Sequence, residues 1–383
     1  MRIVHVITRL LRSGSEENTI ASCLHQMRAG HKVMLIHGRE YDPSYYDELG
    51  HLLELRCVGK LVHPIHPWLD VLATREIANI SRTERADVIH THQSKAGIVG
   101  RAAASMARVR CIVHGVHIVP FEGVSKLERA IYIQAERLAA RVTHGFIHVS
   151  HGTSAAYKTA RIGPDSKHFI VRSGMDIERY SQTLVSDDGR EAYAPEPDGL
   201  RPIVILMLAA FEPRKRHAEF LRGFASAIDR ARPIRLILAG DGPTRPDIEK
   251  QINTLGLGDR VILTGHHPNP ERLIAQSDIC VLASLREGLP RVVVQYLAGR
   301  KPVVVSPIHG IDEVVKPDIN AIVVASQSAE DVARAAVQLA CDESRLASLT
   351  QGAREADMSE WSFESMFSKL DLAYEELRWS SGA

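Results

Sequence analysis

Short apolar runs alternate with longer amphipathic segments along almost the whole chain. In the first half, apolar runs of strand length lie at residues 2–8, 32–37, 86–91, 110–113 and 145–150. Amphipathic segments of helical length follow the first and third of these runs, at 17–29 and 95–108. Strands that alternate with helices of this length are typical of a parallel, doubly wound sheet. The pattern therefore predicts one α/β domain over residues 1–180.

The same alternation returns in the second half. Strands are predicted at 202–209, 235–239, 261–264, 279–283 and 302–306, with a helix at 217–228. These runs are almost continuously apolar, which suits strands that are buried on both faces of a sheet. We predict a linker at 181–200, because this stretch has two prolines and few apolar residues. A second doubly wound domain then occupies 201–360.

The last predicted element is a helix. Apolar side chains recur at roughly helical spacing from residue 361 to 377, so we treat 361–383 as a separate C-terminal segment. Two doubly wound domains in tandem leave a cleft between them. Ligands of such sheets bind beyond the carboxyl ends of the strands, which is where we look for chemistry.

The composition excludes several classes of protein. Apolar residues make up 45% and charged residues 24% of the chain, the profile of an ordinary globular protein. No apolar run reaches 18 residues, so we predict no transmembrane helix. The N-terminus shows no secretory signal, and the five scattered cysteines form no CxxC pair. We therefore expect a cytoplasmic protein without a disulfide framework or a cysteine-based zinc site.

Charge is distributed unevenly between the two halves. Up to residue 185 the chain has 24 basic and 17 acidic residues, a net charge of +7, whereas the remainder carries −6. Fifteen of the 19 histidines also lie before residue 185. A basic first half fits contact with an anionic membrane or an anionic substrate. A solvated surface without a partner fits the same distribution equally well.

Several common motifs of parallel-sheet proteins are missing from the sequence. No GxGxxG follows the first strand, and no GxxxxGK[ST] loop occurs. HExxH and GxSxG motifs are absent too. The sequence therefore does not favour a dinucleotide-binding enzyme, a P-loop NTPase, a zinc protease or an α/β-hydrolase.

Three loops in the second half keep residues suited to binding an anion or a sugar. Three consecutive cations at 214–216 follow a buried strand and precede a predicted helix, whose N-terminus favours phosphate. The turn around Gly240 allows close backbone approach to a ligand. Glu287 follows the strand at 279–283, beside a helix predicted to begin near Pro290, and its carboxylate can accept hydrogen bonds from sugar hydroxyls. Taken alone, each loop also fits an ordinary solvated turn.

Together these segments resemble the retaining glycosyltransferases of family four, which have the GT-B fold of two Rossmann-like domains facing a cleft. The resemblance covers nearly the whole chain and is strongest at 284–324. Glu287 matches the first glutamate of the family's E-x7-E pattern, which lies by the donor sugar. Gly288, Leu289 and Pro290 match the turn whose backbone approaches the sugar and the diphosphate.

Motifs outside this segment agree with the family in type and order. Arg214 and Lys215 lie in a match to P-x-K, whose lysine binds the donor diphosphate, and Gly240 lies in a match to G-x-G-P. Gly14 belongs to a loop similar to G-G-A-E at the mouth of the first domain. His117 is the second histidine of a loop similar to H-T-V-H, and in the family it lies at the reacting sugar. The final helix matches one that crosses back to the first domain.

Three positions depart from the family pattern. Gln295 replaces the second glutamate of E-x7-E, which bonds the donor ribose, and glutamine keeps one acceptor oxygen for that contact. Ala210 replaces the arginine of G-R-L and removes one cation from the diphosphate site. Ser13 replaces the first glycine of G-G-A-E. Losing one charge-assisted contact costs about 1.5–3 kcal/mol, or roughly 10- to 100-fold in affinity.

The resemblance implies a hexosyltransferase that moves a sugar from a nucleotide-sugar donor to a glycan or lipid-linked acceptor, in cell-envelope polysaccharide or lipopolysaccharide synthesis. Retention by front-side attack would leave the acceptor's proton with the departing phosphate. His117 and Glu287 are the implied catalytic residues, assembled from two domains by closure of the cleft. The residues implied to contact the donor are Gly14, Arg214, Lys215, Gly240, Gly288, Leu289, Pro290 and Gln295.

The implied partners and cofactors follow from the same resemblance. The basic first domain would contact the inner face of the membrane peripherally, and no nucleic acid is expected. No metal is expected, because Lys215 and a helix N-terminus can stabilise the diphosphate as it leaves. His90, His92 and His114 could form a metal site by composition, which we do not expect.

Two other classes of function compete with a transferase. A binding or regulatory subunit could keep the fold after losing turnover, with Ala210 and Gln295 as the lesions. An epimerase or phosphorylase could use the same architecture, although no motif supports either. Turnover with a donor and an acceptor separates the first class, and isomerisation of a nucleotide sugar without an acceptor identifies an epimerase.

Overall fold

A computed structural model describes residues 1–182, 201–228 and 232–380 of the chain. The chain divides into two compact units. Unit 1 is Met1–Gly174 together with the chain from Phe363 onward, and unit 2 is Met175–Ser362. Each unit is built on a parallel sheet with interleaved helices, which confirms the predicted pair of doubly wound α/β domains.

The described part of unit 1 contains a seven-stranded parallel sheet in the order β3-β2-β1-β4-β5-β6-β7. Its strands are β1 (Arg2–Ile7), β2 (Lys32–His37), β3 (Glu54–Cys57), β4 (Val88–His92), β5 (Cys111–Val116), β6 (Gly145–His148) and β7 (His168–Ile170). Its helices are α1 (Gly14–Arg28), α2 (Ser44–Leu49), α3 (Pro67–Thr83), α4 (Ser94–Met106), α5 (Lys126–Ala140), α6 (His151–Thr159) and the C-terminal α14 (Phe363–Ser380).

Alternation along β1 distributes its side chains between two cores. Ile3 and Ile7 pack against α1 and α14 on one face of the sheet. Val4 and Val6 pack against α3 and α4 on the other face. A strand buried on both faces reads as a continuous apolar run, which is why the sequence predicted β1, β2 and β4 well.

The described part of unit 2 contains a six-stranded parallel sheet in the order β10-β9-β8-β11-β12-β13. Its strands are β8 (Ile203–Leu208), β9 (Ile234–Ala239), β10 (Val261–Gly265), β11 (Ile279–Leu282), β12 (Val303–Val305) and β13 (Ala321–Val323). Its helices are α7 (Ile177–Gln182), α8 (His217–Ala227), α9 (Arg245–Thr254), α10 (Pro270–Gln276), α11 (Arg291–Ala298), α12 (Ala329–Cys341) and α13 (Glu343–Arg354).

The division between the units falls at Gly174, earlier than the predicted boundary at residue 180. The reason is that α7 packs on α10 and α11 of unit 2, and Arg179 forms an ion pair of 3.0 Å with Glu271. The predicted linker at 181–200 lies outside the described residues from 183 onward. No helix of the described chain is both long enough and apolar enough to cross a membrane.

Each sheet has one point where the chain reverses the direction in which it adds strands. In unit 1 this point lies between β1 and β4, and in unit 2 it lies between β8 and β11. The loops that leave two such strands diverge to opposite faces of the sheet and open a crevice at their carboxyl ends. In doubly wound sheets this crevice is where ligands bind.

Candidate active site

The crevice of unit 2 brings together two of the predicted site residues. Lys215 ends a 3-10 turn, Pro213–Lys215, that follows β8, and Glu287 lies in the loop between β11 and α11. Lys215 Nζ donates a short hydrogen bond to Glu287 Oε1. The two loops are also joined by the Leu285 amide, which donates to the Arg214 carbonyl at 2.9 Å.

Both partners of this ion pair are largely withdrawn from solvent. The Lys215 side chain is 11% exposed and that of Glu287 is 13% exposed. Burial acts to raise the pKa of Glu287, but the charges of Lys215 and Arg214 outweigh it, so the pKa lies below its usual value. Glu287 is therefore an ionised carboxylate at neutral pH.

The three consecutive cations of this loop have different partners. Arg214 Nη1 lies 3.2 Å from Glu287 Oε2, while its Nε donates to Glu212 at 2.8 Å. Arg216 points elsewhere, because its guanidinium bonds the Gln327 carbonyl. Of the two arginines, only Arg214 therefore stands close enough to Glu287 to add its charge to that of Lys215.

Gly240 and Gly242 support the loop that carries Lys215. Their φ angles are +143° and +155°. A Cβ atom on Gly240 would lie 2.1 Å from the Ala209 carbonyl oxygen, and one on Gly242 would lie 2.5 Å from that of Phe211. The close approach that the structure shows is thus to the backbone after β8, and a donor contact at Gly240 stays a prediction.

The turn after Glu287 leads directly into α11. Leu289 is buried, Pro290 is the N-cap residue of the helix, and Arg291 is its first residue. Gln295 is half-buried on this helix, and Gly288 lies in the turn that precedes the helix. Contacts of Gly288, Leu289, Pro290 and Gln295 with a donor stay predictions.

Tyr296 attaches α11 to the strand that precedes the Lys215 loop, a contact that the motifs did not predict. Its hydroxyl accepts a hydrogen bond of 2.8 Å from the Leu208 amide at the end of β8. The same hydroxyl donates to the Val281 carbonyl on β11 at 3.4 Å. Tyr296 therefore ties both strands of the crevice to one helix.

We expect Tyr296→Phe to destabilise unit 2 by about 1–3 kcal/mol, because the Leu208 amide loses a buried acceptor. The variant should melt several degrees below the wild-type protein. Differential scanning calorimetry measures this shift. An unchanged melting temperature would show that the hydroxyl does not hold α11 on the sheet.

The crevice of unit 1 collects histidines on one face of the sheet. His5 on β1 pairs in register with His90 on β4, and His92 on β4 pairs with Gly115 on β5. Side chains at every second position of a strand point to the same face. His5, His90, His92 and His117, just beyond β5, therefore lie on the face that packs against α1 and α14.

A line of hydrogen bonds runs through this cluster to His117. His117 Nε2 lies 3.1 Å from His92 Nδ1, and His92 Nε2 lies 2.9 Å from His5 Nδ1. His5 Nε2 lies 2.8 Å from Gln26 Oε1 on α1. Next to this line, the Tyr374 hydroxyl of α14 lies 2.9 Å from His90 Nδ1.

Three of these histidines are close enough to be considered as metal ligands. Ring nitrogens of His5, His90 and His92 lie within 4.8 Å of one another. However, the facing nitrogens of His5 and His92 are 2.9 Å apart in rings inclined by 9°, the geometry of a hydrogen bond. Two nitrogens that share a tetrahedral zinc lie about 3.3 Å apart. The arrangement therefore fits hydrogen bonding better than a bound metal.

His114 does not belong to this cluster, because it lies on the opposite face of the sheet from His90 and His92. His114 occupies an alternate position of β5 and faces α4, where its Nδ1 lies 3.0 Å from Thr91 Oγ1. A Cβ atom on Gly97 would lie 2.5 Å from its ring. His114 thus fills the contact between the sheet and α4.

Gly14 is the first residue of α1, and the loop around it is held by Glu16. The buried Glu16 carboxylate accepts hydrogen bonds from Ser13, from Ser15 at 2.6 Å and from Gln93 at 3.1 Å. Gln93 also accepts from the Thr8 amide at 3.1 Å, so it bridges the loops after β1 and β4. Gly14 therefore lies at the crevice, and its contact with a donor stays a prediction.

A cavity in unit 1 adjoins His117. Its polar lining residues include Asn18, Ser22, His90, His92, His117 and Ser173. Hydroxyl, amide and imidazole groups together can donate and accept several hydrogen bonds. Ile147, Val149, Val171, Met366 and Leu370 line the same cavity, so its surface is mostly apolar.

The motifs identified His117 but not the residues behind it. His5, Gln26 and Tyr374 escaped notice because they come from distant parts of the sequence and belong to no motif. The alternation of side chains along each strand could have identified His5. Once β1 and β4 are known to be neighbours, it places His5 and His92 on the same face of the sheet.

Comparison with known proteins places both units in one group of enzymes. The family model described as Glycosyltransferase Family 4 matches residues 13–179, and the one described as Glycosyl transferases group 1 matches residues 202–342. Between them the two models span most of unit 1 and most of unit 2.

Individual proteins agree with the family models. The UDP-Gal:alpha-D-GlcNAc-diphosphoundecaprenol alpha-1,3-galactosyltransferase of Escherichia coli is 26% identical over 72% of this chain and 71% of its own length. The N-acetyl-alpha-D-glucosaminyl L-malate synthase of Bacillus anthracis is 22% identical over 81% and 80%. Anabaena HepE, crystallised with UDP and glucose, shares the fold with a TM-score of 0.81 at 18% identity, covering 98% of this chain and 100% of its own. This chain therefore belongs to the family 4 glycosyltransferases, enzymes with the GT-B fold.

Proposed function

We propose that this glycosyltransferase moves a hexose from a nucleotide sugar to a glycan or lipid-linked acceptor with retention of anomeric configuration. The observation that carries the proposal is the buried Lys215–Glu287 pair at the crevice of unit 2. A cation there suits a diphosphate, and a carboxylate beside it suits sugar hydroxyls. Unit 2 would bind the donor and unit 1 the acceptor.

The ion pair explains how the donor site stays stable before a donor arrives. Lys215 and Glu287 neutralise each other away from solvent. A donor would replace this contact with two others, because its diphosphate would bond Lys215 and its sugar would bond Glu287. The diphosphate would then compensate the charge of Lys215, and hydrogen bonds from the sugar hydroxyls would replace those that Glu287 loses.

The same cations would stabilise the leaving group. As the bond to the sugar breaks, negative charge develops on the diphosphate, and Lys215 with Arg214 would meet it at fixed positions. Glu287 would orient the sugar and stabilise positive charge on its ring. We propose that no metal ion is needed for this step, since these two cations supply the charge. The departing phosphate would accept the acceptor's proton.

His117 would act from unit 1 as a hydrogen-bond partner of the reacting sugar. It lies just beyond β5 at the crevice of unit 1, where its imidazole can donate or accept a hydrogen bond with a sugar hydroxyl. The names of two relatives guide the choice of substrates. One acts with UDP-galactose on a diphosphoundecaprenol-linked sugar, and HepE was crystallised with UDP. We therefore propose a UDP-hexose as donor and a lipid-linked glycan of cell-envelope synthesis as acceptor.

A lipid-linked acceptor requires contact with the membrane surface, and α5 is the surface that suits it. Leu127, Ile131 and Leu138 recur on one face of this helix and are 72%, 55% and 64% exposed. Lys126 and Arg129 are exposed on the same helix. Exposed apolar side chains beside basic ones are typical of helices that lie in the interface of anionic membranes. We propose that α5 holds unit 1 at the inner face of the membrane.

Replacing Leu127 and Ile131 together by aspartate should lower binding to vesicles with anionic lipid by about 10-fold or more. The reason is that two apolar contacts with the lipid are lost and two negative charges are added. Cosedimentation with phosphatidylglycerol-containing vesicles measures this. The matched control is Leu372→Asp, an equally exposed leucine on α14 among acidic residues, which should bind as the wild type does. Equal binding by the double variant would exclude α5 as the membrane surface.

The proposed reaction is tested with UDP-hexoses and a short polyprenyl-diphosphate-linked sugar, with and without a chelator. Transfer with an α-linked product, read from the anomeric proton by NMR, is the expected result, and chelation should not change its rate. A β-linked product would exclude retention. Donor binding without turnover would favour the regulatory subunit, and isomerised donor without acceptor would favour an epimerase.

A further inference from the structure

In the line of hydrogen bonds behind His117, the residue at the far end, Gln26, determines which atom of each pair is the donor. Gln26 Oε1 is a carbonyl oxygen and can only accept, so His5 Nε2 carries the proton in their 2.8 Å contact. A neutral imidazole has one protonated nitrogen, which leaves His5 Nδ1 as an acceptor. His92 Nε2 therefore donates to His5 Nδ1 at 2.9 Å.

The same reasoning extends to His117. Because His92 Nε2 carries the proton, His92 Nδ1 is the acceptor in its 3.1 Å contact with His117 Nε2. His117 Nε2 must then carry a proton, and His117 Nδ1 holds a lone pair. A single amide oxygen on α1 thus determines the tautomer of a histidine that lies three hydrogen bonds away.

Burial keeps the intermediate histidines neutral, as this reasoning requires. His5 and His92 are 0% and 3% exposed. Burial lowers the pKa of His5 to about 4 and holds that of His92 well below its usual value, so neither ring carries a positive charge at neutral pH. At neutral pH each ring therefore has one donor and one acceptor.

Packing also fixes the positions of the rings. Gly115 lies opposite His92 in the sheet and leaves room for the imidazoles. A Cβ atom there would lie 2.9 Å from His92 Nδ1 and 3.3 Å from His117 Nε2. The other end is held by α14, because the Gln26 side chain also hydrogen-bonds the Tyr374 hydroxyl. This second bond orients the amide so that its oxygen faces His5.

We propose that Gln26, His5 and His92 form a relay that positions His117 in one tautomer, with Nε2 protonated and Nδ1 as the acceptor. This proposal rests on the proposed function in one respect, namely that His117 contacts the reacting sugar. In that role Nδ1 accepts a hydrogen bond from a hydroxyl of the reacting sugar. Gln26, His5 and His92 are positioning residues and do not touch the substrate.

The test combines two readouts on three variants. Gln26→Leu removes the terminal acceptor, Gln26→Glu keeps an acceptor oxygen, and Tyr374→Phe removes the hydroxyl that orients the Gln26 amide. The tautomer of His117 is read from its nitrogen-15 shifts in histidine-labelled protein without any substrate. Turnover is measured separately with the donor, and the melting temperature shows whether each variant is folded.

The wild type and Gln26→Glu should each show His117 protonated at Nε2 alone, whereas Tyr374→Phe allows the Gln26 amide to turn and should show some of the other tautomer. Gln26→Leu should show a mixture of tautomers, with kcat lowered about 10-fold and the KM for the donor nearly unchanged. A wild-type His117 with Nε2 unprotonated would overturn the relay, and so would nitrogen shifts that change on adding a chelator. A correct tautomer in an inactive protein would instead refute the proposed function alone.

Discussion

Lys215→Met should lower kcat/KM for the nucleotide-sugar donor by about 100- to 1000-fold. The lysine is the most buried cation of the crevice, so its charge is little screened by water and cannot be replaced by solvent. Part of the loss should appear as weaker UDP binding, since the ground-state diphosphate also contacts the lysine. Steady-state kinetics with calorimetric titration of UDP separates the two contributions.

A matched control is Lys301→Met in the same sheet. Lys301 precedes β12 and so lies at the amino ends of the strands, whereas the crevice is at their carboxyl ends. Its Nζ donates to the Ala275 carbonyl at 2.8 Å. This variant should keep its UDP affinity and turnover. Equal losses in both variants would mean that the effect of Lys215 is one of stability. Wild-type kinetics in Lys215→Met would remove the lysine from the mechanism.

Glu287→Gln should lower kcat by about 100-fold while UDP binding is kept or becomes severalfold tighter. The loss in kcat follows because a neutral amide cannot stabilise positive charge on the sugar ring. The gain in UDP affinity follows because Glu287 occupies Lys215 and Arg214 in the unliganded protein. Without its charge, both cations are available to the diphosphate. Turnover should therefore fall while the affinity for UDP stays the same or rises.

Glu212→Gln is the control for this prediction, because the Glu212 carboxylate bonds the same Arg214, while Lys215 meets Glu212 through the backbone, where its amide donates to the Glu212 carbonyl at 2.9 Å. It should leave kcat within about twofold of the wild type. Weaker UDP binding by Glu287→Gln would show that the carboxylate holds the lysine in place and does not compete for it. That result would contradict the exchange of partners proposed for donor binding.

Much of the fold could be predicted because its strands are buried on both faces. The strand at Lys32–His37 was predicted to the residue, and the other predicted strands differ at their ends. Strand β5 runs to Val116, beyond the predicted end at 113, because its last residues contain His114 and Gly115, which interrupt the apolar run. Helix α1 begins at Gly14, three residues before the start of the segment predicted at 17–29.

Elements with little buried surface could not be predicted from apolar periodicity. Strand β3 has the sequence ELRC and lies at the sheet edge, mostly exposed. Helix α5 differs, because it buries only Glu136 and Ala140 although Leu127, Ile131 and Leu138 mark one exposed apolar face at helical spacing. Its capping box between Ser125 and Glu128 was a usable signal.

The candidate site divides in the same way. Lys215 and Glu287 could be named because each belongs to a motif, and the pairing of β8 with β11 explains why they meet. The partners of the cations could not be named, because Gln327 and Glu212 belong to no motif. Arg214 lies beside Glu287, so it is the arginine placed to supply the cation that Ala210 removes from the predicted donor site.

The most direct test of the account is calorimetric titration of the wild-type protein and Lys215→Met with UDP-, GDP- and ADP-hexoses. The account predicts that one nucleotide sugar binds the wild type, with UDP-hexoses first, and that Lys215→Met binds it at least about 10-fold more weakly. Binding that is equal in the two proteins, or no binding of any nucleotide sugar to the wild type, would contradict the assignment of the Lys215–Glu287 crevice as the donor site.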